Sequence, residues 1–369
     1  MNLKSLKTNV ILLLSTFCLS SNAFSVIDWT QFGVRPLAMG NAFVAVADDF
    51  NALYYNPAGL ARIKEWKFEI INPRLDVSTN SYFLYKRVKS RGTKKTSDIL
   101  NIINDAAGKP NQIGFTLSPY AIGQGWGFGL ASTTYVSALP SKLVNVETAG
   151  ISRILLPISL AKNFFSDRLS LGASVKLTGL IGITEDFSVD TLDLFTTSKD
   201  STTTTKPKFT DYLISGMGVG VDLGLLFTPT DYMSPTFGMS VTDFGGTPLK
   251  KIAKKGTKAP SIPPTVNTGF SFKPIKSAHN YLLLAIDNQM INRSVHYSHQ
   301  LSYGLEWGLY DFLKVELGAL NGNATAGIQL DFTVLKIRFA TYAVDRSPLV
   351  GLSRDFVDRR VALQLKLII

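Results

Sequence analysis

The stretch Leu169-Ser170-Leu171-Gly172-Ala173-Ser174-Val175-Lys176-Leu177 alternates without a fault: every odd position is apolar, every even one small or polar. Period two belongs to an extended strand, whose successive side chains point to opposite faces. The pattern returns in Val219–Phe227, where Asp222 and glycines oppose the apolar set, in Leu301–Leu309 around Glu306, and in Val361–Leu367 around Gln364 and Lys366. One face is continuously apolar, and the other mixes glycine, amides and both signs of charge. A lipid-facing exterior and a polar lumen require that division. A soluble β-sandwich also alternates, so periodicity alone leaves both architectures open.

The spacing of the segments separates them. Strands are expected near 66–88 (kinked at Pro73), 111–121, 125–138, 148–163, 168–184, 212–228, 234–244, 264–274, 280–290, 299–310, 312–321, 323–333, 335–345 and 359–369. Connections after even-numbered strands are short, and those after odd-numbered strands are mostly long: 89–110, 185–211, 245–263 and 346–358. Short turns on one rim and long loops on the other are the habit of a transmembrane barrel. The tight Asn321-Gly322-Asn323 turn is the single exception. The expected fold is therefore all-β: a transmembrane antiparallel β-barrel of about 14 strands.

Composition agrees. Charged residues make up 18% of the 369-residue chain, against roughly a quarter in soluble domains. Past the N-terminus no apolar run is long enough for a helical span, so only a closed barrel could cross a bilayer. Lys4 and Lys7 ahead of Val10–Leu14, with Ser21-Asn22-Ala23 behind, read as a signal peptide over 1–23. Cys18, the only cysteine, lies inside it. Acylation of Cys18 is disfavoured by the bulky Phe17 beside it. A net charge of +11 would ordinarily point to nucleic acid, which an exported chain does not meet. The basic clusters Lys86–Lys95 and Lys250–Lys258 are instead expected in surface loops near anionic lipid head groups.

Residues 24–63 break the alternation and are expected to fold into the lumen as a hatch ahead of a barrel over 64–369. Asp49 is placed to cap a helical turn through Phe50–Tyr55, and Asn56-Pro57 starts another that ends near Gly59. The run Gly33–Leu60, containing Arg35-Pro36-Leu37-Ala38-Met39-Gly40, Asp48-Asp49, Asn51–Tyr55 and Asn56-Pro57-Ala58-Gly59-Leu60, resembles the N-terminal signature of the PorV/PorQ group, which is related to the FadL-type long-chain fatty acid transporters. Weaker agreement runs through Leu171–Lys176, Asp222–Phe227, Thr236–Phe244 and Arg359–Ile369. The resemblance implies a fourteen-stranded barrel with an internal hatch. In FadL-type members hydrophobic substrates enter from outside and leave sideways through a kinked wall, whereas PorV-type members handle secreted proteins in type IX secretion. The chain departs from the usual barrel ending, closing on Ile369 and not on an aromatic.

Hatch or gating roles are expected for Arg35, Met39, Gly40, Asp48, Asp49, Asn56, Pro57 and Gly59. The two aspartates are read as capping or pairing with Arg35 or Lys176, in preference to a catalytic or metal pair. Pro73, Pro119 and Pro157 are candidate kinks, since proline removes a ladder donor. Lys176, Asp222, Glu306, Glu316, Gln329, Asp331, Lys336, Arg338, Gln364 and Lys366 are expected in the lumen, selecting solutes or pairing with one another. Trp66, Trp126, Tyr135, Tyr212, Trp307 and Tyr310 fit interfacial girdles. His279, His296 and His299 read as surface residues, not metal ligands. No Gly-x-Ser-x-Gly elbow accompanies them, so neither an enzyme nor a cofactor is expected. The partners foreseen are outer-membrane lipid and hydrophobic small molecules, with secreted proteins or a purely structural barrel as rival readings.

Overall fold

The computed structural model describes residues 32–91, 96–140, 145–188, 212–277, 279–294, 297–310, 312–332, 334–345 and 357–367. The expected signal peptide 1–23, residues 24–31, most of the 185–211 loop and His296 lie outside them.

Fourteen antiparallel strands close on themselves. They are β1 (Lys67–Glu69 and Arg74–Ser78), β2 (Asn111–Leu117 and Tyr120–Gly123), β3 (Trp126–Gly129 and Ala131–Pro140), β4 (Asn145–Phe164), β5 (Leu169–Ser188), β6 (Leu213–Phe227) and β7 (Thr236–Thr242). The circuit continues with β8 (Thr265–Lys276), β9 (Asn280–Asn288), β10 (Leu301–Leu309), β11 (Leu313–Leu320), β12 (Asn323–Asp331), β13 (Leu335–Asp345) and β14 (Val357–Leu367). β14 pairs with β1 from Arg360↔Ser78 to Gln364↔Arg74, which seals the sheet. Closure leaves no unpaired edge, the condition lipid imposes.

The alternation seen in the sequence is realised in space. In β5 Leu171 and Val175 are exposed while Ser170, Ser174 and Lys176 are buried. In β10 Tyr303 and Trp307 face out, and Ser302 and Glu306 face in. Trp66 and Trp126 pack edge to face at the short-turn rim, their ring centroids 4.7 Å apart.

Residues 32–63 lie inside the barrel and form α1 (Val34–Ala38), α2 (Ala52–Tyr55) and a 3-10 turn, Pro57–Arg62. α3 (Thr79–Arg91) and α4 (Thr96–Ala106) stand on the long-loop rim, and α5 (Tyr297–Gln300) precedes β10. Two expectations are corrected here. The first strand ends at Ser78, not near 88, because Thr79, Asn80 and Ser81 turn their side chains onto the main-chain oxygens of Arg359, Pro110 and Gln112. That ends the ladder and releases the chain into a helix. The 245–263 segment is no simple surface loop either. Leu249, Ala259 and Ile262 tuck against Ile151 and Leu180 on the inner wall, while Lys250, Lys251, Lys254, Lys255 and Lys258 stay exposed.

Candidate functional site

The inner segment is held by close backbone approach. Gly40 has φ +61°, and a Cβ there would stand 2.4 Å from the Tyr303 carbonyl oxygen of the wall. A Cβ on Gly59 would sit 1.8 Å from the Ala47 carbonyl oxygen. Only glycine meets both demands. Met39, beside Gly40, is fully buried. Asp49 accepts from the Asn51 N–H at 2.9 Å, closing a turn ahead of α2; the helix itself starts at Ala52 with Asn51 at its N-cap and no side-chain cap, not at Phe50 under Asp49. Asn56 does two jobs. Its Oδ1 accepts from the Ala58 N–H at 3.2 Å, opening the turn that begins at Pro57, and its Nδ2 donates to the oxygens of Val44 (2.8 Å) and of Leu225 in β6 (3.2 Å). Asp287 of β9, absent from the residues singled out in the sequence, accepts from the N–H groups of Phe43 (2.7 Å) and Val44 (2.8 Å). Its parity with the inward Leu283 and Ala285 was the available signal.

Charge organises around Arg35. Its guanidinium grips Glu306 of β10 with Nε on Oε2 and Nη2 on Oε1 (2.9 Å), and reaches Asp48 at 2.5 Å and Asp49 at 3.1 Å. The Tyr281 hydroxyl donates to Glu306 Oε1 at 2.6 Å. Burial is the largest influence on Asp49 and opposes its ionisation, yet the Arg35 and Arg338 charges and the Asn51 N–H together hold the carboxyl below its ordinary range. Lys176 does not meet these aspartates; it pairs with Asp222 at 2.7 Å and Asp243 at 3.0 Å. Of the other inward charges, Lys366 pairs with Glu69 (2.9 Å) and Asp331 with Lys336 (3.4 Å), while Arg338 donates to the Gln329 amide oxygen. Glu316 is buried opposite Glu306 in the β10–β11 ladder. Gln364 is fully buried with neither amide atom hydrogen-bonded.

The wall carries a register shift in β8, between Phe272 and Ile275, and among the described residues its strands are interrupted in β1–β3. β1 is interrupted between Glu69 and Arg74, an interval that holds Pro73, and β2 between Leu117 and Tyr120, around Pro119. β3 is interrupted at Leu130. Pro157 of β4 faces that last break, because Phe128 pairs with Ile158 and Ala131 with Leu155. Toward β5, however, β4 stays in register through Pro157↔Lys176, so Pro157 kinks no strand. Across β1 and β2 the register slips by one residue between Glu69↔Tyr120 and Arg74↔Thr116. The slip is a bulge, which bends a strand and thins its ladder. Asn72 spans it: its Oδ1 accepts from the Ser118 N–H at 2.8 Å and its Nδ2 donates to the Ser118 oxygen.

Behind the break lies the apolar part of the inner segment. Phe50 stacks on Tyr120 at 4.5 Å, and Lys366 Nζ lies 3.9 Å from the Phe50 ring centroid. Leu53 and Tyr54 abut Gly129, where a Cβ would come within 3.0 Å of each. The Tyr54 hydroxyl is buried and makes no hydrogen bond. Burial pushes its ionisation upward. Leu60, Ile63 and Ile122 continue the same apolar cluster. No group of three or more metal-ligating side chains occurs among the described residues. His279 stacks on Tyr310, and His299 lies in α5.

These features define a closed fourteen-stranded barrel of the outer-membrane type, filled from within by its own N-terminal segment. Solved structures share the fold. The Pseudomonas putida toluene transporter TodX is 15% identical over 92% of this chain and 98% of its own, with a TM-score of 0.52. The CymD monoaromatic hydrocarbon channel is 12% identical over 93% and 98%, at 0.56. A Pseudomonas aeruginosa FadL homologue is 14% identical over 91% and 97%, at 0.50. No family model and no curated protein matches the sequence. The structural likeness is thus to FadL-type barrels, while the PorV/PorQ resemblance rests on the sequence signature alone.

Proposed function

We propose that this chain is a bacterial outer-membrane channel for hydrophobic small molecules such as long-chain fatty acids, with residues 24–63 as its hatch. The observation that carries the reading is the coincidence of the apolar hatch surface, Phe50, Leu53 and Tyr54, with the β1–β3 stretch of wall, whose strands are interrupted. A shift of these side chains would open an apolar path toward the bulge at Asn72 and Ser118, releasing a greasy solute sideways into lipid. Arg35, Asp48, Asp49 and Asn56, seated by Met39, Gly40, Pro57 and Gly59, hold the hatch in register with the wall. The solved neighbours are described as hydrocarbon channels and transporters, which supports the same class of cargo.

The test is uptake of a labelled long-chain fatty acid by cells with and without the protein, alongside a Leu53→Cys, Gly129→Cys variant. Because Cys18, the only cysteine, lies in the expected signal peptide, the new pair is the only one in the processed chain to oxidise. Protein-dependent uptake that stops on oxidation and returns on reduction supports the channel. A second reading, a PorV-like barrel that binds secreted proteins, draws support from the filling of the lumen by both the hatch and the Leu249–Ile262 segment. Absence of protein-dependent uptake, with the barrel present in the outer membrane, would favour it.

A further inference from the structure

The long-loop rim above β1 and β2 carries a feature that solute passage leaves unused. Hydrogen bonds from Thr79 to the Arg359 oxygen (3.1 Å), from Asn80 to the Pro110 oxygen (3.0 Å) and from Ser81 to the Gln112 oxygen (3.4 Å) pin the first turn of α3 to the strands on either side. So held, α3 exposes Tyr82, Phe83 and Tyr85 by 55 to 60%. Just below, the lipid-facing belt of Leu75, Ile113, Phe115 and Val136 rises to the same rim. Three adjacent bare rings are costly in water but at home in the interfacial zone of a bilayer. Basic residues share the helix: Lys86 lies 4.7 Å from the Tyr82 ring centroid, and Lys89 is exposed.

Between α3 and α4 is a cleft of about 390 Å³ lined by Asn80, Phe83, Leu84, Arg87, Ala106, Lys109 and Asn111. It joins an apolar wall, Phe83, Leu84 and Ala106, to two cations. Arg87 stands 3.6 Å from the Asp105 carboxylate, and Lys109 donates to the Asp105 main-chain oxygen at 3.4 Å. A surface pair this long adds little, so a phosphate can replace the carboxylate at Arg87.

We infer that the α3–α4 cleft binds a phosphorylated lipid of the outer leaflet, its phosphate on Arg87 and Lys109 and its acyl chain against Phe83 and Leu84. Lys86 and Lys89 add long-range attraction to the anionic surface. The inference rests on the outer-membrane placement proposed above.

The experiment titrates full-length protein in neutral detergent with diphosphoryl lipid A, with the same lipid stripped of phosphate, and with inorganic phosphate as competitor, read by native mass spectrometry. The diphosphoryl form is expected to bind at least tenfold more tightly than the stripped form. Arg87→Gln with Lys109→Gln weakens it about 25-fold, at about fivefold per cation, and Asp105→Asn strengthens it. Equal binding of both lipids, unchanged binding by the double variant, or full displacement by millimolar inorganic phosphate would overturn the site. Unaltered heat-dependent gel mobility of each variant shows that the barrel still folds. Cell fractionation separates the two levels. A barrel outside the outer membrane removes the placement and this inference with it, whereas a correctly placed barrel indifferent to phosphate removes the lipid site alone.

Discussion

The β4–β5 hairpin and the β1–β3 wall are the two extremes of this barrel. β4 and β5 pair over twenty consecutive positions in a single register, from Asn145↔Ser188 to Phe164↔Leu169. In β1–β3 every strand is interrupted, and one side-chain amide stands in for main-chain pairing. In lipid an unmet backbone group has no water to turn to, so the first region is self-sufficient and the second depends on what lies behind it. The difference teaches that a barrel can keep an interrupted stretch in its wall when an internal segment supports it.

The largest expected effect concerns the support, not the wall. Glu306→Ala would leave Arg35 buried without its wall partner and should cost about 3–5 kcal/mol, read by urea unfolding in vesicles. Lys336→Ala, at a partly exposed pair, should cost under about 1 kcal/mol. Equal losses would break the claim that the inner segment carries the wall.

Phe50→Ala removes the ring that covers Tyr120 and should cost about 3 kcal/mol, with faster fatty acid uptake. The lipid-facing Phe237→Ala should leave uptake unchanged. Asn72→Ala strips both hydrogen bonds from Ser118 and should cost about 1–3 kcal/mol. Amide exchange at Ser118 should then speed up while that at Ser174, in the intact hairpin, stays slow.

The smallest effect is that of pH. A carboxyl held below its ordinary range, as Asp49 is, contributes stability that is complete above the unfolded-state value of roughly 3.9 and disappears as pH falls through the folded-state value. The Asp49 contribution to the unfolding midpoint should therefore be flat near neutrality and decline only in strong acid. Arg35→Gln should flatten the acid limb, and an unchanged limb would assign it elsewhere.

Much of the site was legible because its signals are local. Proline lacks an N–H wherever it stands, so Pro73 and Pro119 announced weak points, and Pro157 fell opposite a third, although its own strand runs on unkinked. Asn56 announced its turn through a short side chain that caps the next residues, and Asp49 a turn just ahead of α2. The role of Asn72 was not legible, since an asparagine beside a proline ordinarily reads as a turn. It becomes a bridge only because β1 slips one residue against β2.

Period two along the chain, and the parity of short and long connections, sufficed to determine the strand number, the lipid face and the closed barrel, because side-chain direction in a strand depends on nothing beyond the strand. Pairing partners were another matter. That Lys176 meets Asp222 and Asp243, that Asp287 receives Phe43 and Val44, and that Leu249 turns inward were decided by the tertiary structure alone. Each of these depends on which distant strands stand side by side once the barrel closes and what then remains to fill its interior.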